Sequence, residues 1–503
     1  MATQDSQAPP STKEDQVVKI EGLLQKFEAE LGLEHEKTIA AVAALGSLYK
    51  EQDRLSEAEA FYQRALRGYE RTDGKDSKRA IDITHELGTL YRRMGKLDEA
   101  EKALRGALER SETTLGPEHD GTLATVDCLA TVYMEQSKFK QSEELYQRAL
   151  EGNKKTLGPE HPSTVNTLGN LSILYQEQGK LAQAEETCKQ VLQAKEKTLG
   201  VNDRSTISTV HTLANIFSEQ GKLDEAEELY LRALEVNERE LGPENTSTLR
   251  TVQSLTEIYL ENRKLAEAEA LCQRAIRGYE KVLGPMHTLT MSSISNLGII
   301  YEQQDKLAEA EVAYMDALER KGKALGEEHR STLSTVQGLT GLYFKRKKFP
   351  EAVAMAQRAV AGFSKLLGPK HPSTLAAVNN MALIVQNQGK LDEAEKMFQE
   401  VLAGFEETLG TEQTARYKTA LDVYQNLAEL YRSQGRREEA EEAYLKVLDG
   451  FQALYGPDHV SSQRMISRLL TLYTDDPACD AGASESQGIA AGGGVNVSSA
   501  ALG

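Results

Sequence analysis

The sequence predicts an all-α protein built from repeated helical hairpins. Three features carry this prediction: a 42-residue internal period, two amphipathic helical patterns in each period, and Gly or Pro residues between the patterns. The composition agrees, because 40% of the residues are hydrophobic, only 12 are proline and none is tryptophan. This composition favours helices over a β-sandwich or a collagen-like fibre.

The period is marked by a recurring Leu-Gly dipeptide. Successive copies are spaced by 42 residues, and Asp73-Gly74 fills the one remaining slot. The dipeptide begins at Leu31, Leu115, Leu157, Leu199, Leu241, Leu283, Leu325, Leu367 and Leu409. A further landmark, Tyr455-Gly456, follows after 46 residues, so we place four extra residues in TEQTARYKTALDVYQ, just before or within one helix.

Each period contains two helical stripes, and the repeat that begins near Val165 illustrates both. Apolar residues at spacings of three and four predict a first helix through Val165, Leu168, Leu171, Leu174 and Tyr175. A second stripe runs through Leu181, Ala184, Cys188, Val191 and Leu192. Glycines that can adopt positive φ are predicted to end the helices, at Gly179 within the hairpin and at Gly158 and Gly200 after second helices.

The ten copies agree on small and aromatic positions. Each first helix contains a large apolar residue, called the recurrent Leu below: Leu45, Leu87, Leu129, Leu171, Leu213, Leu255, Leu297, Leu339, Met381 (in place of Leu) and Leu427. The residue after it is small: Gly46, Gly88, Ala130, Ser172, Ala214, Thr256, Gly298, Thr340, Ala382 and Ala428. Three residues later comes an aromatic ring, with Val385 as the exception. The second helix carries a small residue such as Ala226 and, four positions on, an aromatic or smaller apolar residue, for example Tyr62, Tyr230 and Tyr314. We expect the small residues to let helix backbones approach and the rings to fill the remaining space.

Seven of the nine histidines lie in the connector LG-x-x-H: His35, His119, His161, His287, His329, His371 and His459. Seven sites spaced along a repeat array are too far apart to share a metal ion. Each histidine falls at or next to the start of the following first helix. We therefore interpret them as helix-capping residues and predict no metal site.

The signature L-(A/G)-x-x-Y followed by A-x-x-x-(Y/F)-x-x-A resembles the tetratricopeptide repeat over residues 14 to 473. The 42-residue period and phrases such as LGPEHPSTVNTLGNLSILYQEQGKLAQAEE more narrowly resemble the kinesin light chain type. The resemblance implies a solenoid, a right-handed superhelix of about ten helical hairpins plus terminal capping helices. It also implies that first helices line a concave groove that binds peptide segments of partner proteins.

The resulting domain prediction has five parts. Residues 1–13 and the Gly/Ala/Ser-rich tail 475–503 are predicted to be disordered. Residues 14–30 form an N-terminal capping helix, residues 31–454 form ten repeats, and residues 455–474 form a C-terminal capping helix.

The predicted peptide-binding residues lie on the first helices. One set lies two positions before the recurrent Leu, where polar and amide side chains suit hydrogen bonding to a peptide: His85, Asp127, His211, Gln253, Gln337 and Asn379. A second set is the asparagine immediately before that Leu, for which the family resemblance implies contact with a bound peptide backbone: Asn170, Asn296, Asn380 and Asn426.

Charge limits the partners of such a groove. The net charge of -18 argues against nucleic acid or an anionic membrane as the main partner. Glutamates recur at the ends of the first helices, at Glu135, Glu177, Glu219, Glu261 and Glu302, so we expect neutral or basic peptides over the middle repeats. Basic residues cluster only at Arg92-Arg93 and at Lys345 to Lys348, where they can complement helix C-termini.

No catalytic motif is present, since the recurring Gly-Lys lies in the turn of each hairpin, and we predict a non-enzymatic scaffold or adaptor without a cofactor. Four dispersed cysteines and the absence of a signal peptide or apolar span predict a cytoplasmic location. A terminal-carboxylate clamp is disfavoured, because the position two before the recurrent Leu is never Lys or Arg.

Two alternatives remain open at this stage. One is a sensor or regulatory array of a signalling system, and the other is a self-assembling structural array, although we expect a monomer. A kinesin heavy chain is a candidate partner. The coiled coil by which kinesin light chains dock on it has no counterpart in the residues before Leu31, so motor attachment is not expected.

Overall fold

The computed structural model describes residues 13–457 and 459–474, and this part of the chain contains 23 α-helices and no strand. The helix α1 (Lys13–Leu31) precedes ten hairpins and α23 (Val460–Thr474) follows them. The all-α prediction of about ten hairpins with capping helices is confirmed. The segments with predicted disorder, residues 1–13 and 475–503, lie outside the described residues except for Lys13, which begins α1.

The first helices of the hairpins are α2 (Glu36–Glu51), α4 (Lys78–Arg93), α6 (Asp120–Glu135), α8 (Pro162–Glu177), α10 (Arg204–Glu219), α12 (Thr246–Glu261), α14 (Thr288–Gln303), α16 (Arg330–Lys345), α18 (Pro372–Asn387) and α21 (Lys418–Ser433). The second helices are α3 (Leu55–Thr72), α5 (Leu97–Thr114), α7 (Phe139–Thr156), α9 (Leu181–Thr198), α11 (Leu223–Leu241), α13 (Leu265–Leu283), α15 (Leu307–Leu325), α17 (Phe349–Leu367), α19 (Leu391–Leu409) and α22 (Arg437–Tyr455).

The four extra residues before the last hairpin form a structure of their own. They add the single-turn helix α20 (Thr411–Thr414) between α19 and α21. Of the two placements considered from the sequence, the one before the first helix is therefore correct.

The chain divides into two compact units, which are described separately. Unit 1 lies within residues 1–216 and unit 2 within residues 217–503, so the boundary falls inside α10. No described helix is long and apolar enough to cross a membrane.

Aromatic residues of the second helices form the centre of each hairpin. Tyr62 of α3 is fully buried and lies over Gly46 of α2, where an added Cβ would come within 2.8 Å of the ring. Tyr314 of α15 covers Gly298 of α14 at the same distance. The predicted exchange of volume between small residues and rings is thus confirmed at these two hairpins.

A repeated set of hydrogen bonds stabilises the connectors. In six of them the histidine is the N-cap of the next first helix, and its Nδ1 accepts from the backbone N–H two residues later at 3.1–3.2 Å: His35, His119, His161, His287, His329 and His371. His459 Nδ1 accepts from Ser461 N–H at 3.2 Å. The capping interpretation of the histidines is confirmed.

A buried threonine completes the connector. Thr164 Oγ1 donates to the Gly158 carbonyl at 2.7 Å, and equivalent bonds recur in other repeats, such as Thr374 to Gly368 at 2.8 Å. The connector glycines have positive φ, and Gly242 combines a φ of 89° with a ψ of 160°. This conformation is essentially restricted to glycine, which explains the recurrence of that residue.

A lysine at the start of the second helix links neighbouring repeats. Lys306 Nζ donates to Glu269 Oε2 of the preceding repeat at 3.0 Å and lies 5.5 Å from the centre of the Tyr301 ring. Lys138 makes the same pair of contacts, to Glu101 at 2.7 Å and over Tyr133 at 5.2 Å. The recurring lysine of the hairpin turn therefore contributes to the stacking of neighbouring repeats.

Candidate peptide-binding surface

First helices of adjacent repeats contact one another, in α4, α6 and α8 of unit 1 and in α14, α16, α18 and α21 of unit 2. Each unit therefore curves with its first helices on the inner side. The name first-helix face is used here for the surface formed by the two positions before the recurrent Leu of each first helix and by the residues one helical turn from them. This face contains all ten predicted peptide-binding residues.

In unit 1, two of the predicted residues bond to each other. Asn170 Nδ2 donates to Asp127 Oδ2 at 3.0 Å, which joins α8 to α6. Asp127 Oδ1 is buried and has no hydrogen-bond partner. Burial raises the pKa of Asp127, although hydrogen bonds from Thr167 and Asn170 oppose this shift.

The two predicted histidines of unit 1 are both half-buried. His85 Nδ1 lies 3.1 Å from Thr125 Oγ1, and its Nε2 lies 3.9 Å from Cys128 Sγ. Burial is the main cause that lowers the pKa of His85. His211 lies on α10, at the equivalent position three repeats along the chain.

Unit 2 contains a second amide pair on the first-helix face. Asn426 Nδ2 donates to Asn379 Oδ1 at 3.1 Å, linking α21 to α18. Asn379 and Asn380 are each only 1% exposed, and Gln337 is 7% exposed. Both polar side-chain atoms of Asn380 are buried without a hydrogen-bond partner. An unpaired buried amide costs about 1–3 kcal/mol, so Asn380 lowers the stability of the fold at this position.

The most open part of the first-helix face in unit 2 is a line along α12, formed by Gln253, Glu257 and Glu261. These residues follow one another at intervals of four, so their side chains share one side of the helix. Gln253 and the equivalent residue of the next repeat, Asn296 on α14, are half-buried, whereas both glutamates are exposed. In the described part of the chain neither glutamate is ion-paired or hydrogen-bonded to a lysine or arginine.

Negative charge is unfavourable on this line of side chains. Although the Glu257 carboxylate reaches solvent, surrounding protein desolvates it and raises its pKa to about 7. A hydrogen bond from the Gln253 side chain opposes this shift, and the charge of Glu261 adds a smaller upward effect. Desolvation also raises the pKa of Glu261, which Lys418 at the start of α21 partly opposes. A cationic ligand group placed here would therefore relieve an unfavourable charge.

The two basic clusters serve the repeats themselves. Arg93 Nη1 donates to the Lys50 carbonyl at 3.0 Å, and Lys345 Nζ donates to the Glu302 carbonyl at 2.9 Å. Each carbonyl lies in the last turn of the preceding first helix, so the interpretation that these cations complement helix C-termini is confirmed at both positions. Arg92 forms an ion pair with Glu135 at 2.7 Å. One of the glutamates expected to attract a basic peptide is therefore already paired within the protein.

Sequence reasoning missed two lysines that reach this face from second helices. Lys195 of α9 donates to Thr209 Oγ1 at 3.0 Å, and Lys321 of α15 donates to Thr335 Oγ1 at 2.9 Å and to Ser295 Oγ at 2.8 Å. The sequence contained one signal for them. Each lysine replaces an apolar or amide residue at an otherwise buried position of the second-helix stripe.

Within the described residues, no group of three or more His, Cys, Asp or Glu side chains is arranged to hold a metal ion. Burial raises the pKa of the Cys128 thiol, near His85, to about 12. A thiol so far from its ordinary value has little thiolate character at neutral pH.

The comparisons with known proteins agree with this architecture. Two family models, both described as tetratricopeptide repeat, match the chain. One covers residues 122–197, 205–281, 252–323 and 331–407, which together exceed half of the chain, and the other covers residues 38–77, 81–120 and 420–461. The chain belongs to the tetratricopeptide repeat family, whose members are in general protein-interaction scaffolds. No curated protein matches it.

One solved structure that is similar to this chain contains nearly identical TPR-like repeats assigned to a kinesin light chain of Podosopora anserina. That structure is 28% identical, covers 40% of this chain and 95% of its own, and gives a TM-score of 0.38. BtubC (BKLC) from P. vanneervenii is 20% identical, with 46% and 94% coverage and a TM-score of 0.40. The apo form of RapI is 13% identical, with 57% and 98% coverage and a TM-score of 0.43.

Proposed function

We propose that this protein is a non-enzymatic adaptor that binds extended peptide segments of partner proteins along its first-helix face. The observation that carries the proposal is the line Gln253, Glu257 and Glu261 on α12, which presents an amide and two carboxylates that no lysine or arginine of the described chain bonds directly. An extended peptide can offer backbone groups to the amides and a Lys or Arg side chain to the carboxylates.

The amides elsewhere on the face support the same proposal. Asn170 and Asn296 are half-buried, so their side-chain amides reach the surface on which a peptide backbone would lie. The 42-residue period and the LG-x-x-H-P connector, which resemble the kinesin light chain type, also favour peptide capture. The role is therefore that of an adaptor whose preformed surface needs little ordering on binding.

The preferred segment over α12 is neutral or basic. Two neighbouring carboxylates that already disfavour ionisation would repel an acidic peptide and would be stabilised by a cation. Basic peptides should therefore bind more tightly than acidic ones of the same length, and the difference should shrink as the salt concentration rises.

The test is a fluorescence-polarisation screen with a peptide library that varies net charge at fixed length. We expect wild-type protein to prefer basic peptides, and the double variant Glu257→Gln with Glu261→Gln to lose about tenfold or more of that affinity. Glu267→Gln is the matched control, since it removes one carboxylate from the exposed start of α13. A preference for acidic peptides, or equal losses in the control, would count against the proposal.

A further inference from the structure

One position of the second helices sends a polar side chain towards the first-helix face in four repeats. The residues are Asn153, Lys195, Asn237 and Lys321, each spaced from the next of the set by one or two periods. Their nitrogen atoms lie 3.3, 3.0, 3.2 and 2.9 Å from the hydroxyl of a threonine 14 residues later, on the next first helix: Thr167, Thr209, Thr251 and Thr335. A hydrogen bond between the second helix and the next first helix therefore recurs at this position, and in two repeats a lysine donates it.

Lys321 has a full set of partners. Its ammonium group has three N–H donors, and these meet Ser295 Oγ at 2.8 Å, Thr335 Oγ1 at 2.9 Å and the Ser331 carbonyl at 3.4 Å. The residue is only 3% exposed. Lys321 is therefore a closed, internally satisfied site.

Lys195 lacks the third partner. It donates to Thr209 Oγ1 at 3.0 Å and to the Ser205 carbonyl at 3.4 Å, the counterparts of Thr335 and Ser331. The counterpart of Ser295, three periods earlier in the chain, is Gly169. A Cβ added at Gly169 would meet nothing within 4 Å, and both Gly169 and Lys195 are half-exposed. Open space therefore lies where the third acceptor stands in the other repeat.

No carboxylate of the described chain is bonded to the Lys195 ammonium group. Burial lowers its pKa, while Cys188 and Asp203 raise it to a smaller extent. Asp203 Oδ1 accepts a hydrogen bond from the Ser205 N–H at 2.7 Å and caps α10. Asp127, on the first-helix face one repeat earlier, is bound by Asn170.

We propose that Lys195, Thr209 and the open position at Gly169 form a subsite on the first-helix face of unit 1 for one carboxylate, an Asp or Glu side chain of a bound peptide. A carboxylate oxygen in the open space would take the place of Ser295 Oγ and accept the third N–H of the ammonium group. A single cation without an arginine fork suits one carboxylate. This inference rests on the proposed function and adds a specific requirement: a segment that is neutral or basic overall carries one acidic residue.

The test uses pairs of fluorescein-labelled peptides that differ only by Glu or Gln at one position, scanned along neutral and basic sequences. Wild-type protein should bind the Glu member of at least one pair about tenfold more tightly, as expected for a charge-assisted hydrogen bond. Gly169→Ser should remove this preference, because it supplies the serine that satisfies Lys321 in the other repeat. Lys195→Asn should do the same with a residue that this position already holds at Asn153 and Asn237.

Lys321→Asn is the matched control, since its lysine is already satisfied, and the Glu preference should survive there. Thermal melts of all variants verify that they are folded. Equal affinities of Glu and Gln members for wild-type protein, or a Glu preference that persists in a folded Lys195→Asn variant, would overturn the subsite and leave peptide binding intact. If no peptide binds wild-type protein, the proposed function fails and the subsite with it.

Discussion

Tyr314 of α15 lies against Gly298 of α14 so closely that a Cβ at the glycine would come within 2.8 Å of Tyr314 Cδ1. The tyrosine is 2% exposed, and its hydroxyl donates to Glu302 Oε2 at 3.3 Å. Gly298 contacts the edge of the ring and Glu302 accepts from its hydroxyl, so the two helices are held firmly against each other. The contact explains why small residues recur at this position of the first helix.

Gly298→Ala should therefore destabilise the protein, although alanine favours a helix over glycine by about 0.5–1 kcal/mol. Forcing a methyl group against a packed ring typically costs about 1–3 kcal/mol, so we expect a net loss. Urea unfolding followed by circular dichroism measures it. Gly169→Ala is the control, because its Cβ would meet open space, and it should leave stability unchanged or raise it. Equal effects of the two substitutions would refute the packing argument.

Acid should weaken the His371 cap. His371 Nδ1 accepts the Ser373 N–H at 3.1 Å, which requires an unprotonated nitrogen, and burial lowers the pKa of His371 below its ordinary value of 6.5. Below pH about 6.5 the unfolded chain therefore binds a proton that the folded chain does not, and stability falls as pH falls.

The measurement is the urea midpoint at pH 7.5 and pH 5.5. His371→Asn should flatten this dependence, since Asn245 caps α12 in the same way with its side-chain oxygen. An unaltered slope in the variant would show that the His371 cap does not contribute to the acid sensitivity.

Glu257 should have the opposite pH dependence. Its folded-state pKa of about 7 exceeds the ordinary value of 4.5, so between these values the folded chain binds more protons and stability falls as pH rises. Glu257→Gln should raise the urea midpoint at pH 8, where the carboxylate is charged, and should have little effect at pH 4.5. A variant that is less stable than wild type at pH 8 would contradict the assignment.

The lysine at the hairpin turn should contribute a modest amount to stacking of repeats. Lys306→Met removes both the Glu269 contact and the position over Tyr301, and we expect a loss of about 1 kcal/mol. At Lys390 the ring is replaced by Val385 and the partner is Glu393 of the same helix, 3.2 Å away. Lys390→Met should therefore cost less, about 0.5 kcal/mol or below, in the same unfolding experiment. Similar losses at both positions would argue against a role for the ring.

Much of the fold could be predicted because its determinants are local and repeated. Gly242 must adopt a conformation that other residues avoid, and His371 caps the helix that begins one residue later, so both contacts involve near neighbours in sequence. Small residues such as Gly298 show their role through repetition in ten copies. The placement of α20 needed the structure, because four extra residues fit before or within a helix equally well by pattern.

The sequence by itself determined the period, the hairpins, the caps and the set of polar first-helix residues. Tertiary structure alone decided how those residues are used: Asn170 is engaged by Asp127, Asn380 is buried without a partner, and Glu257 is desolvated. It also brought Lys195 from a second helix to Thr209 on the first-helix face. The physical reason is that contacts between helices join residues one or more repeats apart, and burial and charge at such contacts depend on distances that a periodic pattern does not encode.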